Sequence, residues 1–329
     1  MATIEAQALG KRYGPKQAVD DLSFRVDPGS VTGFLGPNGS GKSTTMRLML
    51  GLDNGVGSTT FDGMAFRSLG EPMRHVGALL EAKPFHPTRT ARNHLRLLAA
   101  ANGITDARVD QVLELVGLTA VARGKPKKFS LGMGQRLGIA AALLGDPHTL
   151  ILDEPANGLD PQGIQWLRGF LKDFAAHGHS VFVSSHLLAE MALMADRLVV
   201  IGRGRLIASG PVDDFVKTSR RRAVVLRSPD LTRLGPVLAE RGGYVEGQPD
   251  GSFVVTGLDR DQVGDVAYEI GARVHELTSR EATLEQAFLE ATGVSEEFVG
   301  GSIGGEPGSP PAPPGRTPDP GDPNVASAR

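Results

Sequence analysis

The chain has 329 residues and 40% hydrophobic content, enough for one large or two ordinary domains with a sizeable core, so disorder throughout is excluded. Its 35 Lys+Arg against 37 Asp+Glu leave a formal charge of −2, which gives no global electrostatic reason for nucleic acid or an anionic membrane to be the main partner. Cysteine is absent, which removes disulfides, thiol catalysis and cysteine-ligated metals and fits a reducing compartment.

The start, Met1 to Ala6, has no basic segment followed by an apolar core, so no secretory signal is expected. Apolar runs such as Ile139 to Leu144 and Leu198 to Ile201 fall far short of the roughly 20 residues a spanning helix needs, so any membrane step requires a second chain. From Ile4 to about Asp62, turn signals at Tyr13-Gly14-Pro15, Asp27-Pro28-Gly29 and Asp62-Gly63 separate short strands, and Leu22 to Val26 alternates at period two. This predicts an antiparallel sheet wrapped around the strand Val31 to Leu35. Tyr13 reads either as a strand-edge aromatic or as a ring on which a base stacks.

Directly after Leu35 stands Gly36-Pro37-Asn38-Gly39-Ser40-Gly41-Lys42-Ser43-Thr44, a G-x-x-x-x-G-K-[ST] phosphate-binding loop in strand–loop–helix context. The glycines permit backbone angles that let successive N–H groups converge on phosphate oxygens. Lys42 adds a mobile positive charge, Ser43 a hydroxyl for a phosphate-bound Mg²⁺, and the helix start favours anions.

His75 to Glu81 is strand-like, and prolines 84 and 87 force a loop after Glu81. Helical spacing covers Arg89 to Ala101 and Asp106 to Leu118, with Val109, Val112, Leu113 and Val116 on one face and Asp106 as a cap. The basic loop 124–128 leads into Phe129-Ser130-Leu131-Gly132-Met133-Gly134-Gln135-Arg136, which opens an Ala- and Leu-rich helix. Leu150-Ile151-Leu152 is an apolar strand ending in Asp153 and Glu154, with Pro155 blocking its continuation. Adjacent strand residues face opposite ways, so one carboxylate can serve Mg²⁺ while the other faces a water; a solvated acidic pair is the plainer alternative. Asn157 to Pro161 forms a tight turn before a helix around Trp166 to Phe174. Ser180 to Ser185 is another buried strand, closing on His186 at the edge where parallel α/β sheets gather their ligands. Arg203-Gly204 joins two strands as a hairpin.

Beyond Pro211 no catalytic pattern is visible. Ala223 to Leu226 and Phe253 to Thr256 read as strands, and Leu284, Ala287, Phe288 and Ala291 as a helix face capped from Thr283 and Gln286, or starting instead at Thr278 and Glu281. The Gly/Pro-rich run beyond about Val294 is expected to be disordered.

With the loop 36–44, the pair 153–154 and His186 in this order, the first 210 residues resemble the ATP-binding subunit of an ABC transporter. The family signature Leu-Ser-Gly-Gly-Gln meets Phe129 to Met133 here, with only Ser130 and Gly132 matching, and Glu81 stands where the family's glutamine loop has Gln. Both departures resemble the bacitracin- and lantibiotic-immunity type of the drug- and peptide-exporting branch, whose C-terminal extension residues 211–293 also resemble. The resemblance implies an α/β P-loop NTPase core over 1–210, with an antiparallel β subdomain and a helical insert at about 82–145. A small α+β domain at 211–293 and a disordered tail at 294–329 follow.

It implies ATP and Mg²⁺ as cofactors. Tyr13 would stack on adenine, and Gly36, Pro37, Asn38, Gly39, Ser40, Gly41, Lys42, Ser43 and Thr44 would hold phosphates. Ser43 and Asp153 would hold Mg²⁺, Glu81 would touch the metal or the attacking water, Glu154 would act as general base, and His186 would contact the γ-phosphate. Ser130 and Gly132 would meet the γ-phosphate on a second subunit, with Asp160 at the same seam, in a homodimer or a pseudo-dimer with another ATPase. The implied function is a cytoplasmic ATPase, peripheral on the inner face of the membrane, that drives a separate polytopic permease exporting a drug, antibiotic or peptide, with no nucleic-acid partner. The alternative is a soluble ABC-type switch in an assembly process outside transport.

Overall fold

The computed structural model describes residues 3–80, 85–86, 88–218 and 223–280. Strands β1 (Ile4–Tyr13) and β2 (Lys16–Val26) form a hairpin across Gly14-Pro15. Then come β3 (Ser30–Leu35), α1 (Lys42–Met49), β4 (Val56–Phe61), β5 (Met64–Ala65), α2 (Pro72–His75) and β6 (Val76–Leu79). Helices α3 (Ala91–Ala101), α4 (Asp106–Leu115) and α5 (Leu131–Ala142) precede β7 (Thr149–Leu152), α6 (Pro161–Ala176), β8 (Ser180–Ser185) and α7 (Leu188–Met194). The hairpin β9 (Arg197–Gly202) and β10 (Arg205–Pro211) leads to α8 (Val212–Thr218). The last described elements are β11 (Ala223–Arg227), α9 (Leu231–Glu240), β12 (Tyr244–Gly247), β13 (Phe253–Thr256), α10 (Arg260–Glu269) and β14 (Glu276–Arg280).

Three sheets organise these elements: an antiparallel four-stranded sheet β2-β1-β4-β5, a six-stranded sheet β10-β9-β3-β8-β7-β6, and a four-stranded sheet β12-β13-β11-β14. In the six-stranded sheet every pair but β10–β9 is parallel. Its central strands are near-continuous apolar runs, with Val31, Phe34, Leu35, Leu150, Ile151, Leu152, Val181 and Phe182 all buried, as expected of strands covered on both faces. The strand before the phosphate loop therefore lies inside the parallel sheet, between β9 and β8. The antiparallel sheet packs on it rather than surrounding it. Phe24 of β2 joins the two, its ring 5.8 Å from Phe34 and 5.2 Å from Phe182, which are 4.9 Å from each other.

Helix α5 lies directly against β6. A Cβ on Gly77 would come within 2.1 Å of the Ala142 carbonyl oxygen, so only glycine permits this approach. On α4 the expected face is buried, with Val109, Val112, Leu113 and Val116 at 1% exposure or less. Its cap is Thr105, in extended geometry, and not Asp106, which is the first helical residue. The strand at 76–79 starts later than its pattern predicted because Pro72 at the first helical positions nucleates a turn that takes in His75.

Strands β11 and β13 fall where their patterns placed them, and their sheet buries Val224, Leu226 and Val255 against Leu234 and Leu238 of α9 and Val263 and Val266 of α10. Thr278 sits within β14, paired with Val225, so it does not start a helix. The helix face at 284–291, its Thr283 cap and the tail lie outside the described residues, as does Glu81. Among the described residues no helix is long and apolar enough to cross a membrane.

Candidate functional site

Parallel pairing places the ends of β3, β7 and β8 on one edge, because Leu35 is opposite Ser185 and Leu152 opposite Val183. The residues that follow each strand, Gly36 to Gly41, Asp153-Glu154 and His186, thus converge where a parallel sheet binds ligands.

The loop is shaped by its glycines and by the strands around it. Gly41 has φ 108°, and a Cβ there would lie 2.4 Å from the Ala18 carbonyl oxygen of β2. Only glycine meets both conditions. The Gly204 N–H donates to the Ser40 carbonyl at 2.9 Å, tying the loop to the β9–β10 turn. Helix α1 then starts with Gly41 as its N-cap, no side-chain cap and no acidic residue in its first turn, which leaves N–H groups and the positive helix end without an internal counter-group.

Lys42 is 7% exposed and folds back on the loop. Its Nζ donates to the Gly36 carbonyl at 2.7 Å and more weakly to Pro37 at 3.4 Å, and lies 3.9 Å from Glu154 Oε1. Burial lowers the lysine's pKa, and the charges of Glu154 and Asp153 offset this in part. A buried cation whose neighbours are two carbonyls and one carboxylate at the edge of contact fits an arriving polyanion.

Asp153 and Glu154 are separated by backbone geometry and not by strand alternation. Strand β7 ends at Leu152, and Glu154 adopts a left-handed φ of 50°, an uncommon and strained state for a residue with a Cβ. That turn is held from two sides. The Glu154 N–H donates to Ser184 Oγ at 2.9 Å, and Ser184 Oγ donates to Asp153 Oδ1. Gln135 of α5, 1% exposed, donates from Nε2 to the Glu154 carbonyl at 3.1 Å. The Glu154 side chain reaches His186, with Oε2 2.7 Å from Nδ1 and 3.3 Å from the His186 N–H.

A cavity of about 360 Å³ gathers Tyr13, Asn38, Gly39, Gly41, Lys42, Ser43, Thr44, Asp153 and Glu154, joined by Lys16 and Ala18. Gly36, Pro37 and Ser40 of the same loop are not among its lining residues, and Gly36 and Ser40 are buried. His186 reaches it through Glu154. Tyr13 is 48% exposed at its rim, and its hydroxyl, donating to Asp53 Oδ2 at 2.9 Å, is held above the usual phenol pKa by that hydrogen bond.

Ser130, Gly132 and Asp160 do not line this cavity. Ser130 caps α5, accepting from the Met133 N–H at 3.2 Å, and Asp160 caps α6, accepting from the Gly163 N–H at 2.9 Å. Gly132 presses against the turn before α6, where a Cβ would meet the Gly158 carbonyl oxygen at 2.8 Å. These three residues therefore form a second cluster, on the adjoining starts of α5 and α6.

Sequence reasoning missed Gln135 and Ser184. Their signal was polarity in the wrong place: Gln135 stands one turn before the buried Gly138 and Ile139 on an apolar helix face, and Ser184 interrupts a wholly buried strand.

Residues 19–157 match the family model for ABC transporters, and residues 222–285 match a domain of unknown function, DUF8746. The uncharacterized ABC transporter ATP-binding protein YhcH of Bacillus subtilis is 37% identical, over 90% of this chain and 98% of its own length. The bacitracin transport ATP-binding protein BcrA of Bacillus licheniformis is 36% identical over 92% and 99%. The lantibiotic transport ATP-binding protein SrtF of Streptococcus pyogenes is 36% identical over 64% and 91%. Among solved structures, an ATP-binding subunit of an ABC transporter superposes with a TM-score of 0.59 at 30% identity, covering 65% of this chain and 92% of that one.

Proposed function

The chain belongs to the family of ABC transporter ATP-binding proteins and is an ATPase, and on that premise we propose a role for each residue around the loop. The observation that carries the reading is Lys42, buried under the phosphate loop and facing Glu154 across the same cavity. Lys42 and the amides of residues 36–44 hold the ATP phosphates, and Tyr13 at the cavity rim receives the adenine. Glu154, with one carboxylate oxygen fixed by His186, orients the attacking water and takes its proton as the new P–O bond forms and the bond to the β-phosphate oxygen breaks. With Nδ1–H given to Glu154, His186 keeps Nε2 for the γ-phosphate side.

Ser43 and Asp153 would hold Mg²⁺. Both line the cavity that contains Lys42, and a hydroxyl with a carboxylate is an oxygen donor set that suits this hard cation. When bound, the ion offsets phosphate charge. By the same resemblance Glu81, which lies outside the described residues, would touch the metal or the attacking water.

Ser130, Gly132 and Asp160, grouped away from the loop cavity, complete the site of a second copy or of a paired ATPase subunit, so that two nucleotides close between two chains. Closure drives a polytopic permease against which the chain sits on the inner membrane face. Relatives named for bacitracin and lantibiotic transport favour export of a peptide antibiotic or drug as the task. Residues 1–210 form the ATPase domain, 211–293 an accessory domain and 294–329 a tail.

The test is isolation of the tagged chain from membranes of its own host. A multi-spanning protein retained through purification is the expected result. A chain recovered wholly in the soluble fraction, with no membrane protein bound, would contradict the transport role and favour a switch outside transport.

A further inference from the structure

Tyr13 ends β1 beside Gly14, and a half-exposed phenol there has two side-chain torsions to fix before it offers a flat face to a ligand. Here they are fixed by groups from elsewhere in the chain. The Tyr13 hydroxyl donates to Asp53 Oδ2 at 2.9 Å. Asp53 in turn accepts a two-pronged contact from Arg47, at 3.0 Å from Nε and 3.1 Å from Nη2. Arg47 stands in the last turn of α1, the helix whose first residues are Lys42 and Ser43. Lys11, two residues earlier on β1, holds its ammonium 4.9 Å from the Tyr13 ring centroid and donates to the Asn54 carbonyl at 2.5 Å.

The ring is thus tied at its oxygen to an ion pair rooted in the phosphate-loop helix, and covered on one face by a cation rooted in the next residue of the same connection. Arg47 keeps the Asp53 carboxyl below the usual carboxylate range, so it stays an acceptor for the phenol at all ordinary pH values. Asp53 itself does not line the loop cavity.

We propose that Asp53 is a positioning residue for the nucleotide base: acting through the Tyr13 hydroxyl, it orients the ring on which adenine stacks and links that ring to the helix that holds the phosphates. The proposal rests on the reading of Tyr13 as the base platform. Its physical content is preorganisation, since a ring ordered before binding costs no further side-chain entropy when the base arrives. A plain alternative is that the Arg47–Asp53 pair only closes the connection from α1 to β4.

The two are separated by equilibrium binding of ATP and of inorganic tripolyphosphate to the full chain, with Tyr13→Ala, Tyr13→Phe, Asp53→Ala and the Tyr13→Phe/Asp53→Ala double variant. Asp53→Asn serves as a milder companion in case the alanine variant folds poorly. Losing one such hydrogen bond should weaken ATP about fivefold in either Tyr13→Phe or Asp53→Ala. Tripolyphosphate should be unaffected in both, and the double variant should be no weaker than either single one. Tyr13→Ala should weaken ATP by about 5- to 100-fold, as loss of base stacking does. Additive losses in the double variant, or an equal loss for tripolyphosphate, would overturn the proposal in favour of the plain connection. If Tyr13→Ala weakens ATP while Asp53→Ala and Asp53→Asn do not, the proposal fails and the base platform stands. If Tyr13→Ala leaves the preference for ATP over tripolyphosphate unchanged, both fail together.

Discussion

Replacing Ser184 by alanine removes one oxygen and disturbs two carboxylates. In the native chain that oxygen, fully buried in β8, accepts the Glu154 N–H at 2.9 Å and donates to Asp153 Oδ1. Without it the Glu154 amide has lost its acceptor and the Asp153 carboxylate its hydroxyl donor, a loss of about 2 kcal/mol for a buried polar group left unpaired. In a domain of this size that lowers the melting temperature by about 4–8 °C. The functional loss should be larger than this stability change suggests. Glu154 is held at φ 50°, a state that costs on the order of 1–3 kcal/mol and persists only while its surroundings enforce it. Relaxation would swing the carboxylate off the His186 contact at 2.7 Å, and misplacing a reacting group by about 1 Å can cost on the order of 100-fold in rate. Steady-state phosphate release, equilibrium ATP binding and a thermal melt, all on the same preparation, check this. The expected pattern is turnover down by about 10- to 100-fold with ATP affinity nearly unchanged. A lowered melting temperature with wild-type turnover would refute the reasoning and leave Ser184 a packing residue.

Two further changes test the packing and the electrostatics. Phe182→Ala empties the junction where Phe24, Phe34 and Phe182 meet at 4.9–5.8 Å, so urea unfolding should show a loss of about 3–5 kcal/mol; a loss under about 1 kcal/mol would mean the two sheets do not depend on this contact. Asp230 is held at a pKa of about 2, below its ordinary 3.8, first by the side-chain and then by the backbone hydrogen bond from Arg273. A depressed carboxylate stabilises the fold above its unfolded pKa and loses that contribution as pH falls through the folded one. The melting-temperature gap between wild type and Asp230→Asn should therefore be constant from neutral pH down to about 5, shrink as pH falls through the unfolded and then the folded pKa, and close only below about pH 2; a gap independent of pH would show that the charge plays no part.

What the sequence disclosed follows from how local the chemistry is. The phosphate loop was legible because its glycines, Lys42 and Ser43 are contiguous and each is dictated by backbone geometry or charge. Asp153, Glu154 and His186 were legible because apolar strands advertise the polar residues at their ends. The supports were hidden, because they act across parallel register or between helix and strand: Ser184 meets residues 30 and 31 positions away, Gln135 a carbonyl 19 away, and Tyr13 meets Asp53 across 40 residues. No periodicity in one segment encodes such a meeting. The division of labour between Asp153 and Glu154 was read from strand alternation, yet it comes from a left-handed turn after the strand has ended. Asp106 looked like a cap because the preceding Thr105 takes the extended geometry that the sequence leaves open to either residue.

Glu154→Gln is the most direct measurement of the site's central claim, since it removes the carboxylate facing Lys42 and His186 while keeping its shape. Turnover should fall by about 100-fold or more, the range expected when a general base is lost, while ATP binding persists; Lys42→Ala should instead weaken ATP binding itself. Wild-type hydrolysis in Glu154→Gln would contradict the account.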